Sequence, residues 1–297
     1  MSAARLEPEY ATRLVEAAVL AAVAGRAGER QFHVERDRLY EIAAPEPREA
    51  AFEALHARWF ERLALDRPFS ATLAERPEIA ARCGRWLVTR ARGGRDKAAD
   101  LLVAPAALPT LLVRVAPETV AAPERLRLLL RRELLHVADM LEPRFGYAPF
   151  LPESVAGGAR ERVVRDNYSV LWNTYVDGRL VRAGLVPAAV RAERLAEFVR
   201  AFPHLRAGTE AAFERFFGPR SLTHAELLAV AVGGPDGAPL PRCRLCDLPT
   251  RDFEPAPQAL PAEVLTAIAS DFPSWLPAEG LCGRCGELYA SRVALRS

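Results

Sequence analysis

The chain has 297 residues, half of them hydrophobic, which is enough for one large domain and a small one. Its 40 basic and 38 acidic residues leave a formal charge of +2, so there is no global electrostatic case for nucleic acid or a membrane surface. Lys97 is the single lysine, and we read the bias toward arginine, alanine and proline as genome composition rather than function.

In chain order, residues 7–24 read as an amphipathic helix with Leu14, Val15, Ala18, Val19 and Ala22 on one side. The apolar run within it is short, carries Glu16 and lacks a basic start or a clear cleavage site. It is expected to be a helix of the fold, not a signal peptide or a membrane span. A second helix is predicted over 47–65, where Phe52, Leu55, Trp59, Phe60 and Leu63 have the spacing of a packed face. His33 and His56 stand without a ligand-spaced neighbour. Residues 85–90, 99–103 and 110–115 read as strands, with Gly93-Gly94 as a turn and Pro109 ahead of the clearest strand.

The next helix carries the most informative anomaly. Pro123 suits a first turn and Glu124 favours a helix N-terminus. Leu126, Leu129, Leu130, Leu134, Val137, Met140 and Leu141 then recur at helical spacing, and Glu133 points into the middle of that apolar stripe with His136 at its edge. A carboxylate in that position is costly unless it has a partner. A loop marked by Pro143, Gly146, Pro149 and Pro152 follows, and then a long predicted helix over 160–182. Asp166, Asn173 and Asp177 share one stripe of that helix, either a solvated face or part of a site. Helices are predicted over 187–201 and 204–217, and Thr223 to Glu226 has capping-box spacing ahead of another. The glycine- and proline-rich residues 233–240 read as a linker between a mainly helical domain, 1–232, and a small domain, 241–297.

Four of the five cysteines form two C-x-x-C pairs, Cys243/Cys246 and Cys282/Cys285, leaving Cys83 apart. Two such pairs can present four thiolates to one tetrahedral Zn2+ ion, and this usage fits a reducing cytoplasm better than a disulfide framework. A closed four-thiolate site holds a small domain together rather than catalysing. The first pair is followed by a turn at Asp247-Leu248-Pro249, and the second opens a predicted helix. Turn-borne pair first and helix-borne pair second is the layout of a treble clef, and Leu281 to Tyr289 resembles the helix start of GATA-type fingers. Arg242, Arg244, Arg251, Arg284, Arg292 and Arg296 are offset by Asp247, Asp252, Glu254, Glu263, Asp271, Glu279 and Glu287. Nucleic acid is therefore not favoured as a partner, and protein or peptide is.

Arg132-Glu133-Leu134-Leu135-His136 resembles the H-E-x-x-H motif of zincin and gluzincin metallopeptidases with Arg132 in place of the first histidine. The resemblance implies an α+β, mostly helical zincin-like domain with a small sheet ahead of the motif helix. It also implies Glu133 as general base and His136 as zinc ligand, with an acidic ligand from a later helix, for which Asp177 is placed, or Asp139. SprT-like proteins have the same order of peptidase domain and C-terminal zinc-binding segment. Arginine cannot ligate zinc. Three readings of the chain therefore stand: a degenerate, non-catalytic or regulatory metallopeptidase-like protein, an active zinc hydrolase using Glu133 and His136, or an interaction module with structural zinc only. In the first, Arg132 takes the place of the metal and neutralises Glu133, Asp139 or Asp177.

Overall fold

The computed structural model describes residues 6–93, 98–152, 155, 158–202, 208–233, 242–248, 250, 253, 254, 257 and 260–295. The fold is α+β and mostly helical, and the described residues pack as two compact units.

The first unit comprises Met1–Pro149 and Val176–Val190. It opens with a short strand, β1 (Pro8–Tyr10), followed by helices α1 (Thr12–Val23), α2 (Glu29–Asp37), α3 (Pro45–Arg62), α4 (Arg67–Ala74) and α5 (Pro77–Arg82). Strands β2 (Arg85–Arg90), β3 (Ala98–Leu102) and β4 (Thr110–Val115) come next, then α6 (Pro117–Val120) and α7 (Pro123–Leu141). The sheet order is β1-β2-β4-β3, with β1, β2 and β4 parallel and β3 antiparallel on the far edge of β4. The five helices between β1 and β2 supply the long crossover that a parallel pair requires.

Burial alternates along β4, with Leu111, Val113 and Val115 fully inside, as expected of a half-buried strand. Helix α7 buries Leu126, Leu130, Leu134 and Val137 completely and packs on α4, α5, α6 and β3. Each such side chain contributes about 1.5–3 kcal/mol of burial, so the apolar stripe read from the sequence is what fixes α7 against the sheet. Pro8–Tyr10, expected in the first helix, instead pairs with Trp86–Val88, and the helix starts at Thr12. Strand pairing along the backbone outweighs the weak helical preference of a segment that contains proline.

The second unit comprises Phe150–Tyr175 and Arg191–Ser297. Helix α8 (Gly158–Arg182) contributes its residues up to Tyr175 to this unit. The unit continues with α9 (Val190–Ala201), α10 (Thr209–Phe217) and α11 (His224–Gly233). Phe198 of α9 packs its ring against Phe202, Phe213 and Phe216 at centroid separations of 4.8, 5.7 and 5.9 Å. The capping box ahead of α11 forms: Glu226 N–H donates to Thr223 Oγ1 at 3.2 Å and Glu226 Oε2 accepts from Thr223 N–H at 2.9 Å. Of the predicted linker only Gly233, the last residue of α11, lies within the described residues.

The C-terminal part of this unit is built from β5 (Phe253–Glu254), α12 (Ala262–Asp271), β6 (Leu281–Cys282) and α13 (Gly283–Ala294). β5 and β6 are antiparallel. Val264, Ile268, Trp275, Leu281 and Tyr289 form a small core around three of the cysteines.

Candidate metal centre

The first cysteine pair sits on a tight turn. Asp247 adopts φ +54°, a region aspartate tolerates, and its N–H donates to Cys243 O at 2.8 Å while Cys243 N–H donates to Leu248 O at 3.0 Å. Arg242 grips the Asp247 carboxylate through Nε at 3.0 Å and Nη2 at 2.7 Å, holding the turn from outside. The second pair straddles the start of α13. Cys282 is the N-cap residue, and its Sγ accepts from Cys285 N–H at 3.4 Å, so a sulfur satisfies one of the unpaired N–H groups of the first helical turn. Cys282 N–H donates to Cys243 Sγ at 3.3 Å and ties the two halves together.

The four sulfurs lie within 4.8 Å of one another, and Cys246 Sγ is 3.9 Å from Cys282 Sγ. Four sulfurs each about 2.3 Å from a tetrahedral ion would be about 3.8 Å apart, so the donor set fits a closed metal site. Cys243, Cys282 and Cys285 are buried and Cys246 is exposed. Burial alone would raise the Cys243 thiol, but N–H groups of Cys246, Cys282 and Leu245 outweigh it and bring the thiol down to about 7. Burial pushes Cys282 and Cys285 up, the sharing of protons among neighbouring sulfurs adding to it for Cys285. Such a crowded set of sulfurs is compatible with ionised thiolates only when a cation is bound. Cys83 lies apart, a buried thiol that burial raises to about 11.

The residues of the R-E-L-L-H segment lie in the first unit and are arranged differently. Glu133 Oε2 accepts from Ala99 N–H of β3 at 2.9 Å, which supplies the partner its place in the apolar stripe demanded. Burial raises the Glu133 carboxyl above the ordinary range, while the Ala99 N–H and the Arg132 charge pull the other way. Arg132 Nε donates to Asp177 Oδ1 at 2.8 Å, and Asp177 is fully buried. Arg179 grips Asp139 with both terminal nitrogens, at 2.8 and 2.5 Å. His136 and Asp139 are buried, whereas Asp166, on the same predicted stripe as Asp177, is exposed.

Among the described residues, the cysteines are the one group of three or more histidine, cysteine or acidic side chains whose ligand atoms lie within 4.8 Å of one another. Glu133, His136, Asp139 and Asp177 do not gather in that way. The sequence reading named Arg132 as a partner for the acids but missed Arg179 and the Ala99 N–H. Arg179 is two positions from Asp177, a spacing with no helical meaning, and a backbone donor on an edge strand leaves no trace in side-chain pattern.

No family model, curated protein or solved structure matches this chain. The metallopeptidase resemblance therefore rests on the motif residues and the order of elements around them.

Proposed function

We propose that this is a zinc-binding protein in which one Zn2+ ion, held by Cys243, Cys246, Cys282 and Cys285, staples a small treble-clef-like domain at the C-terminus. The observation that carries the reading is the convergence of four sulfurs from a tight turn and a helix start. A closed four-thiolate shell leaves no coordination position for substrate or water, so the ion's contribution is to folding. The turn, the β5–β6 ribbon and α13 in that order support the treble-clef assignment.

For the first unit we propose a degenerate metallopeptidase-like scaffold with a non-catalytic, binding or regulatory role toward protein or peptide. Support comes from the two carboxylates a metal would have used. Arg132 occupies Asp177 and Arg179 occupies Asp139, each in a charge-assisted contact. A guanidinium satisfies a buried acid as a cation would, yet it cannot activate water. Among the described residues, no helix is long and apolar enough to cross a membrane.

Chelation tests the zinc assignment. Trp275, buried in the small core with its Nε1 donating to Gly280 O at 3.1 Å, reports on that domain. Stripping metal with a strong chelator at pH 7 is expected to shift and quench Trp275 emission, seen in a variant with the other three tryptophans replaced by phenylalanine, with recovery on adding Zn2+. Emission unchanged by chelation, with metal loss verified, would contradict a structural ion.

A further inference from the structure

Strand β1 and helices α4 and α5 enclose a cleft of about 660 Å³ within the first unit, and none of its lining residues belongs to the cysteine centre or to the Glu133 region. That volume is in the range of pockets that take small molecules, about 300–1,000 Å³. Leu6, Pro8, Leu73, Pro77 and Ala80 form apolar walls, and Glu7 and Asp66 supply the charge. Other acids nearby are neutralised: Glu9 by Arg85 at 2.5 Å, Glu75 by Arg131 at 2.7 Å and Glu78 by Arg76 at 3.9 Å. Glu7 and Asp66 have no side-chain hydrogen bond or ion pair among the described residues.

Tyr10 adds a second, independent feature. Its ring is wedged against Phe60 and Phe69 at 4.9 and 5.3 Å, and its hydroxyl is buried without a hydrogen-bond partner among the described residues. Burial and the Asp66 charge keep the phenol neutral at any physiological pH. The hydroxyl itself has no accessible surface, so Tyr10 closes the apolar wall of the cleft and adds no charge to it. Two unneutralised carboxylates repel anionic ligands, and the apolar walls offer nothing to a hydrated inorganic ion.

We propose that this cleft binds a small organic cation, an ammonium or guanidinium group set against Asp66 and Glu7 and carried on an apolar body that fills the space between β1, α4 and α5. Isothermal titration of the full chain with n-hexylammonium is expected to give a Kd below about 1 mM, with the neutral isostere 1-hexanol at least tenfold weaker. Asp66→Asn should weaken hexylammonium at least tenfold and leave hexanol unchanged. Ala81→Trp, at an exposed lining position, should block both. Circular dichroism verifies that each variant is folded. Equal binding of hexanol and hexylammonium, hexylammonium unaffected by Asp66→Asn, or no binding by the wild-type chain would each overturn the proposal. Tighter binding of Nα-acetyl-lysine methylamide than of hexylammonium would overturn the assignment to a small molecule, because it points to a protein side chain.

Discussion

Glu133 is a carboxylate whose position penalises its charge, and the penalty has a readable sign. Its folded-state pKa is raised above the ordinary 4.5 by burial, so the folded protein holds a proton there more tightly than the unfolded chain. Stability is then lost as pH rises through the interval above 4.5. Glu133→Gln keeps an oxygen for Ala99 N–H and removes the charge. Urea unfolding is expected to show the variant equal to wild type near pH 4 and more stable at pH 7.5. A difference independent of pH would contradict the assignment. The Arg132–Asp177 contact is an ion pair on a fully buried acid, with Arg132 Nε donating to Asp177 Oδ1 at 2.8 Å. Arg132→Ala should cost about 3 kcal/mol in chemical unfolding, the scale for removing one member of a buried ion pair. A loss under 1 kcal/mol would mean that Asp177 is satisfied in other ways. Arg132→His probes the resemblance itself, since a second equivalent of zinc in that variant would support a degenerate peptidase site and none would weaken it. Glu133 was visible in the sequence because an acid interrupted an apolar stripe. Which acid Arg132 would take was not, because three candidates shared its neighbourhood and only packing selects among them.

At the scale of elements, periodicity carried most of the fold. The strands at 85–90 and 110–115 and the helix around Glu133 are found where alternation and 3.6-residue spacing place them. The short helices α2, α4, α5 and α12 gave no comparable signal, since eight to ten residues, or fewer, span barely two or three turns. β1 is three residues long and owes its conformation to β2 rather than to its own pattern. The turn from α3 to α4 shows the same dependence on context. Ala64 adopts φ +53° there, with Leu65 N–H donating to Phe60 O at 3.1 Å in the manner of a helix C-terminal motif that favours glycine. A side chain in that conformation costs about 1–2 kcal/mol. Ala64→Gly is expected to leave stability unchanged or raise it by up to about 1 kcal/mol, and Ala64→Val to lower it by more than that. Destabilisation by glycine, measured by thermal unfolding, would contradict the local account.

At the scale of the molecule, two units show two ways of burying charge. The first unit surrounds its acids with arginines and a backbone N–H inside a large apolar core. The second includes a segment whose apolar core is small enough that a metal is expected to supply part of its folding free energy. Cysteine spacing made that centre legible at once, because C-x-x-C places two sulfurs on one turn whatever the surrounding fold. The closure of the two pairs was not legible, since 35 residues separate Cys246 from Cys282 and, among the described residues, it is tertiary structure such as the β5–β6 pairing and the packing of α12 on α13 that accompanies it.

Zinc content per chain tests the central claim most directly, measured by elemental analysis of protein purified without added metal, in wild type and in Cys282→Ser/Cys285→Ser. One zinc in wild type and none in the variant is the result expected of a single structural ion beside an acid cluster neutralised by arginine. Two zincs, one of them surviving in the variant, would contradict it and place a metal at Glu133 and His136 despite Arg132.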